Sequence, residues 1–484
     1  MSSTVSRPLV VDLDGTLVAT DTLHEAATAF LTHSPLGVFR LAGWLRRGKA
    51  HLKAELAART ELDASVLPYR GDVLTWLEAE QSNGRRLVLA TASAAWQAQA
   101  VADQLGIFHE VIATADGVNL KGSAKREVLV ERFGERGFDY LGDHGADLSV
   151  WGAAATGHVV VGARRSLAER VGRVTEVGMV FPSPEGRLRA LGSLLRPYQW
   201  VKNALVLVPL FTAQRLDDAS AVLQMLLAVV AFCLVASSVY VLNDLADVVH
   251  DRHHPRKRLR PFASGRVGLL TGWMLWPALA VVGFGLSVAF LPALFVAALA
   301  AYLVLTTAYT FRLKRQPVLD VVVLGLLYTS RIVAGAAAID VELSMWLLTF
   351  SMFFFLSLAL TKRVNELTRI RRTMGQVGVQ VRGRGYVETD LELLSSYGVA
   401  SSVAAVVIFS LYVDDPKTSV LYDTPELLWC GVPVLLAWLM RVWLLAHRGT
   451  MDEDPIIFAT RDRASLVAAL LVVAVFVAAK VVTM

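Results

Sequence analysis

Apolar and polar positions are arranged in two different ways along this chain. Up to about residue 193 they interleave. Short apolar runs such as Leu9-Val10-Val11 and Leu87-Val88-Leu89-Ala90 stand between mixed stretches, the pattern of buried strands alternating with helices. Beyond that point long apolar blocks alternate with short charged loops. A bilayer crossing needs about 20 mostly apolar residues, and nine blocks approach it: 197–214, 219–242, 267–288, 290–310, 317–337, 343–361, 395–413, 427–447 and 464–483. The first is the least apolar, because Lys202 and Asn203 sit inside it. The third and fourth are split only by Leu291-Pro292, a tight turn between antiparallel helices. The pattern predicts an α/β domain over 1–185, a linker over 186–196 and an all-α bundle of nine transmembrane helices over 197–484.

Composition and charge sharpen this division. Of 484 residues, 55% are hydrophobic and 18% charged, against about 25% charged in ordinary soluble domains. Disorder and a purely soluble protein are excluded. The two cysteines, Cys233 and Cys430, lie in apolar runs and cannot build a disulfide framework or a four-cysteine zinc site. The run Leu9 to Leu17 is interrupted by Asp12 and Asp14, unlike a signal peptide. Basic residues gather in alternate loops: Arg252 to Arg266, Arg312 to Arg315, Lys362 to Arg384 and Arg448 to Arg463, while the intervening loops carry only Arg215 and Lys417. The positive-inside rule then predicts a multi-pass protein of a bacterial-type plasma membrane. Its N-terminal domain and basic loops face the cytoplasm and its C-terminus faces outward. The net charge of +5 gives no sign of a nucleic-acid partner, and a homo-oligomer is compatible with the sequence.

In the first domain, Leu9-Val10-Val11 ends in Asp12-Leu13-Asp14-Gly15-Thr16. Carboxylates two positions apart at a strand end point the same way. They suit Mg²⁺-assisted phosphoryl chemistry, in which one carboxylate attacks phosphorus and the other handles the leaving-group proton. Further on, a strand pattern reaches Thr91, Lys125 follows the Gly122 turn, and Asp139-Tyr140-Leu141 leads to Gly142-Asp143 with Asp147 four residues later. A lone Asp-x-Asp is often only a polar strand end, but four such signals in order are harder to dismiss. They resemble the haloacid dehalogenase superfamily of phosphohydrolases. That resemblance implies a doubly wound α/β fold with a helical cap, here about 20–80. It further implies Asp12 as nucleophile, Asp14 as general acid/base, phosphate contacts from Thr91 and Lys125, and Mg²⁺ on Asp12, Asp143 and Asp147. Lys121, four residues before Lys125, is the alternative to it.

In the bundle, the second apolar block runs into Asn243-Asp244-Leu245-Ala246-Asp247-Val248-Val249-His250-Asp251 and then a basic stretch to Pro261. Asp244, Asp247 and Asp251 stand at i, i+3 and i+7, one face of a continuing helix. Carboxylates so grouped need cations, and Mg²⁺ shares its shell readily with substrate phosphates. Lys257 and Arg260 are placed to bind the same phosphates. The blander alternative is a solvated loop that only sets topology. The segment resembles the first aspartate-rich motif of the UbiA superfamily of nine-helix intramembrane prenyltransferases. Where that superfamily carries a second motif, DxxxD, this chain reads Thr361-Lys362-Arg363-Val364-Asn365-Glu366.

This variation, with Lys202-Asn203, His254-Pro255, Leu313-Lys314, Pro317 to Asp320, Arg331 and Arg461-Asp462-Arg463, resembles the branch of decaprenyl-phosphate phosphoribosyltransferases. The resemblance implies phosphoribosyl diphosphate (PRPP) and a polyprenyl phosphate such as decaprenyl phosphate as substrates, with Mg²⁺ on Asp244, Asp247 and Asp251. Asn243, Lys202, His254, Lys257, Arg260, Lys314, Arg331, Lys362, Arg363 and Glu366 are its candidate binding residues. With a phosphatase on the same chain, the expected product is polyprenyl-phosphoryl ribose. The alternatives are an aromatic prenyltransferase with an attached phosphatase, and a transporter or scaffold with a phosphatase-like domain.

Overall fold

The computed structural model describes residues 7–114, 120–161, 166–182, 186–374, 385–415, 421–451 and 454–482. Arg382, Arg384 and Lys417, used above for orientation, lie outside them. The chain packs as two compact units, Met1–Leu195 with Tyr240–Trp276, and Arg196–Val239 with Pro277–Met484.

The first unit is built on a parallel sheet of β1 (Leu9–Val11), β2 (Leu87–Ala94), β3 (Glu110–Thr114), β4 (Asp139–Gly142), β5 (Thr156–Val161) and β6 (Glu176–Pro182), in the order β3-β2-β1-β4-β5-β6. Leu9 is in register with Leu87 on one side and Asp139 on the other. Both sheet faces are covered. Leu9 and Val11 enter a core with Leu13, Leu17, Leu87 and Val101, while Val10 enters another with Val88, Tyr140 and Trp151. A strand buried on both faces has no use for polar alternation, hence the unbroken Leu-Val-Val. Because β1 lies between β2 and β4, the loops after these three strands open a crevice at their C-terminal ends.

Helices Thr22–His33, Val38–Arg46 and Lys49–Ala57 follow β1 and carry a small core of Ala26, Phe30, Leu31, Leu52 and Leu56. Asp21 caps the first, its carboxylate accepting from the N–H groups of Leu23 and His24. Helix Gly71–Ser82 instead sends Val73 and Leu77 into the sheet core. The helical insert proper is thus narrower than 20–80.

The aspartate-rich segment also belongs to the first unit. A single helical face does not form there. Helix Ala219–Ala246 gives way at Asp247 (φ −100°, ψ 7°), and a second helix, Val248–His253, begins. Asp247 takes up the bridge conformation that short polar residues tolerate. Backbone bonds Asp247 N–H to Asn243 O and Asp251 N–H to Asp247 O persist, so the segment is kinked but still wound.

Among the described residues, eight helices are long and apolar enough to cross a membrane: Ala219–Ala246, Leu269–Phe290, Ala293–Phe311, Leu319–Ala338, Met345–Arg372, Glu388–Val413, Pro425–His447 and Arg463–Val481. The ninth expected block folds differently, as a 3₁₀ helix Pro197–Leu207 followed by helix Val208–Thr212. Prolines at 197 and 209 withhold backbone donors there. The 3₁₀ segment packs on helix Leu319–Ala338 at Gly335, where a Cβ would come within 2.0 Å of the Val206 carbonyl oxygen. The bundle exposes apolar side chains such as Val281, Val288 and Leu470, as a lipid-facing surface requires.

Candidate active sites

The crevice of the first unit gathers carboxylates from two strand ends. Asp12 Oδ1 accepts from Lys125 Nζ at 2.8 Å, and the same ammonium lies 3.8 Å from Asp147 and donates to the Tyr140 hydroxyl at 3.0 Å. Lys121 is exposed. Asp143 Oδ1 accepts from Thr16 Oγ1 at 3.3 Å. Asp143 also presses on Gly15, whose φ of +76° only glycine adopts freely and whose Cβ would meet Asp143 Oδ2 at 2.2 Å. Asp14 is held separately, by the Thr22 N–H at 2.8 Å and by Ser93 Oγ, which also accepts from Thr22 Oγ1. Thr91 is buried and its hydroxyl accepts from the Ser93 N–H.

Ser93 is a polar contact that the sequence reading missed. Its signal was present, two positions after Thr91 at the end of β2. Arg70 and Lys53 were missed as well. Arg70 Nε donates to Gly15 O at 3.0 Å and Lys53 Nζ to Ala92 O at 2.6 Å, bracing the two loops from the helical layer.

Burial, with Asp21 nearby, pushes Asp14 up to about 7. Burial with the charges of Asp12 and Asp147 pushes Asp143 up to about 7. Against burial, Asp12 and Asp147 hold the Lys125 ammonium up. Asp12 and Asp147 share one ammonium and Asp143 stands beside them, near Arg70, and this donor set fits a divalent cation. Among the described residues no three acidic or histidine side chains are already closed to metal-ligating geometry.

At the aspartate-rich segment, Arg260 Nη1 donates to Asp244 Oδ1 at 3.0 Å and to Asp251 Oδ2 at 2.7 Å. The guanidinium stands where two carboxylates converge on positive charge. Asp251 is 1% exposed and its Oδ1 has no hydrogen-bond partner among the described residues. That orphaned oxygen also fits a cation. Asp247 and Asn243 are half-buried at the kink, and Lys257 is half-buried in a 3₁₀ turn. His254 is exposed and caps that turn, its Nδ1 accepting from the N–H groups of Arg256 and Lys257.

In the second unit the candidate cations fall into three settings. Lys202 and Lys362 both reach Asp454 Oδ2 at 2.9 Å, and the Tyr328 hydroxyl donates to the same carboxylate. Arg331 is buried, with Nε on Asn203 Oδ1 at 3.0 Å and Nη2 on the Tyr302 hydroxyl at 3.2 Å. Arg363 is 1% exposed, with Nε on Asp320, Nη1 on Glu366 and Nη2 on the Tyr309 hydroxyl. Tyr386 donates to the other Asp320 oxygen. Every nitrogen of Arg363 is engaged within the protein, which makes it a brace between helices and not an open phosphate contact. Lys314 lies half-buried in the 3₁₀ turn Leu313–Arg315. Asp454 caps the helix that begins at Pro455, and it also unites two lysines about 250 and 90 positions away.

A model of the UbiA prenyltransferase family matches residues 204–468. The chain belongs to this family. A model of haloacid dehalogenase-like hydrolases matches residues 9–150, so the UbiA part carries a phosphatase-like domain ahead of it. An uncharacterized protein, y4nM, of Sinorhizobium fredii is 38% identical over 475 residues, covering 98% of this chain and 91% of its own. Nodulation protein NoeC of Azorhizobium caulinodans is 40% identical over 278 residues, 56% of this chain and 87% of its own. Decaprenyl-phosphate phosphoribosyltransferase of Mycolicibacterium smegmatis is 32% identical over 256 residues, 52% of this chain and 80% of its own. Among solved structures, a UbiA homolog from Archaeoglobus fulgidus bound to GPP and Mg²⁺ superposes with a TM-score of 0.46 at 17% identity, covering 60% of this chain and all of its own.

Proposed function

We propose that this UbiA-family protein is a bifunctional membrane enzyme. It transfers 5-phosphoribose from PRPP to a polyprenyl phosphate, and its phosphatase-like domain then removes the 5-phosphate to leave polyprenyl-phosphoryl ribose. The observation that carries the reading is the pair Lys202 and Lys362 gathered on Asp454. The family's second aspartate-rich motif would bind a lipid diphosphate through metal, whereas two ammonium groups suit a monophosphate directly. The relatives named decaprenyl-phosphate phosphoribosyltransferase support the same substrates. An aromatic prenyltransferase lacks support at the position of that second motif.

In the transfer, an oxygen of the lipid phosphate attacks C1 of the ribose. The C1–O bond to the diphosphate breaks and pyrophosphate leaves. Asp244, Asp247 and Asp251 would hold Mg²⁺, with Arg260 released toward the diphosphate. Asp12, Asp143 and Asp147 would hold a second Mg²⁺. A bound Mg²⁺ supplies charge neutralisation on phosphoryl oxygens. In the hydrolysis, the Asp12 carboxylate attacks phosphorus and the ribose 5-oxygen leaves with a proton from Asp14. Asp14 then takes a proton from the water that cleaves the aspartyl phosphate. A carboxyl held near 7 by burial suits both roles.

The path of the chain supports cytoplasmic sites on one side. It leaves the first unit at Arg196 and returns at Tyr240, and helix Ala219–Ala246 supplies one crossing. The return trip needs a second crossing, between 197 and 218. Eleven 3₁₀ residues at about 2.0 Å each and five α-helical ones at about 1.5 Å reach about 30 Å, the hydrocarbon thickness. With that second crossing, the alternation of basic loops assigns them to the cytoplasmic side.

The test is purified full-length protein with Mg²⁺, labelled PRPP and decaprenyl phosphate, with labelled lipid followed in time. A phosphorylated lipid that converts to a dephosphorylated one is the expected result. Phosphorylated lipid alone would overturn the second step. No labelled lipid, with transfer from a polyprenyl diphosphate to an aromatic acid, would overturn the first.

A further inference from the structure

Arg252 follows Asp251 in sequence, but its side chain does not join the carboxylates of the loop. Its Nη1 donates to Glu25 Oε2 at 3.0 Å and its Nη2 to Glu25 Oε1 at 2.7 Å, a two-pronged pair in which each side chain is 4% exposed. The remaining nitrogen, Nε, donates to Ala263 O at 3.1 Å across the loop. Glu25 lies in the first turn of helix Thr22–His33 and also accepts from Thr20 Oγ1 at 2.7 Å. The N-terminus of that helix donates to Asp14. Glu25 therefore touches the loop at one end of a turn whose other end touches the phosphatase-like site.

Three more contacts run in parallel. Trp273 Nε1 donates to Thr28 Oγ1 at 2.9 Å, and the indole packs on the insert core of Ala26, Phe30 and Leu31. Gly265, at φ +70°, approaches so closely that a Cβ would come within 2.5 Å of the Ala19 carbonyl oxygen. His253 Nε2 lies 3.8 Å from Asp63.

A buried ion pair gains little stability after desolvation, and its best-attested use is to fix register. Here the register fixed is that of Asp251, whose neighbour is held on one side by Glu25 while Arg260 holds the carboxylate on the other. We infer that Glu25, acting through Arg252, is a positioning residue for the aspartate-rich loop, so that the phosphatase-like domain is a structural part of the transfer site. This inference rests on the transfer reading above. Coupling of this kind is reciprocal: a diphosphate bound at the loop steadies helix Thr22–His33.

The experiment uses full-length protein in nanodiscs carrying Glu25→Gln, Arg252→Lys or both. Transfer from Mg²⁺-PRPP, hydrolysis of p-nitrophenyl phosphate, melting temperature and hydrogen exchange over 248–266 are measured. The expected result is a KM for PRPP raised roughly 10- to 100-fold in each single variant, the range for removing a partner that orients a ligand residue. The kcat changes less, and the double variant is no worse than either single one. Hydrolysis of the small ester stays within about twofold. Arg252→Lys keeps the charge but not the fork, so a raised KM at unchanged melting temperature separates positioning from folding. Wild-type KM in both single variants overturns the inference, as does a parallel loss of both activities. If the wild-type chain transfers nothing from PRPP, the functional reading fails by itself. The tie is then judged by exchange over 248–266, which Glu25→Gln must accelerate and which overturns the inference if unchanged.

Discussion

At the phosphatase-like site, Asp12, Asp143 and Asp147 stand at or beyond the ends of β1 and β4, strands buried on both faces, and Asp12 and Asp147 share one ammonium, Lys125. At the loop, Asp244 and Asp251 stand on either side of a kinked helix and share one guanidinium, Arg260. A rigid sheet can hold like charges together in deficit, and the cost shows as Asp143 pushed up to about 7. A kinked loop has less to resist repulsion with. It relies on an arginine from further along its own chain, and on Glu25 and Arg252 to fix its place. The two sites thus place carboxylates by different means, backbone in one and side-chain pairs in the other.

The largest expected effect tests their independence. Asp12→Asn removes the nucleophile and should lower hydrolysis of the 5-phosphate by about 10⁴-fold or more. Transfer should continue, so that phosphorylated lipid accumulates in the labelled assay. Transfer falling by the same factor would show that the two sites are one catalytic unit and break the comparison.

A second effect concerns buried charge in the bundle. Asp320→Ala leaves Arg363, 1% exposed, without its fully buried carboxylate partner and with only the more exposed Glu366. Stranding one member of a buried pair costs about 3–5 kcal/mol, so the melting temperature of the full chain in nanodiscs should fall by several degrees or more. Asp454→Asn should instead raise the KM for decaprenyl phosphate, because Lys362 is about a third exposed and can turn toward solvent. Equal losses of stability from both would make Lys202 and Lys362 braces like Arg363.

Asp251→Asn is expected to lower transfer by about 100-fold, through loss of charge where the diphosphate is held. Hydrolysis of p-nitrophenyl phosphate should be unchanged. The fold should tolerate the change, since Asp251 Oδ1 makes no hydrogen bond among the described residues. Transfer at the wild-type rate would remove the loop from the reaction.

Much of this is legible in the sequence. Leu9 to Val11 announces a doubly buried strand, and the carboxylates after it fall in the crevice that a parallel sheet with β1 between β2 and β4 must open. Eight apolar blocks announce eight long helices, because their length and composition leave few alternatives. The 3₁₀ winding of the 197–214 block was hidden because hydropathy does not distinguish 3₁₀ from α winding, and two prolines tipped the balance. The kink at Asp247 was hidden because spacing rules assume unbroken helix. Asp454 was overlooked because a residue that caps a helix locally shows nothing of the lysines it collects from distant segments. The pairing of Arg363 was hidden for the same reason: beyond Glu366 on its own helix, its partners Asp320 and Tyr309 come from two other helices.

Burial also acts in the opposite direction, and this gives the smallest predicted effect. His158 in β5 is 6% exposed; its Nδ1 accepts from the Met179 N–H at 2.9 Å and its ring lies 4.8 Å from that of Trp76. Burial pushes its imidazole down to about 4, with Asp139 and Glu80 working against this and Arg85 with it. Where burial shifts Asp14 toward its protonated form, it holds His158 in its neutral one. A group whose folded value is depressed contributes stability that is present above its unfolded value, near 6.5, and is lost as pH falls toward 4. The contribution lost between pH 7 and pH 5 is about 2 kcal/mol. Asp14 and Asp143, raised to about 7, gain stability over the same interval, so the part due to His158 is read by differential scanning as the difference between wild type and His158→Phe. In His158→Phe, where the aromatic contact with Trp76 survives without a titrating nitrogen, the unfolding transition of the sheet unit should rise more, or fall less, from pH 7 to pH 5 than in wild type. Parallel curves for the two proteins would mean that His158 takes up its proton in the folded state, and that the sheet core does not enforce neutrality as it does at Asp14.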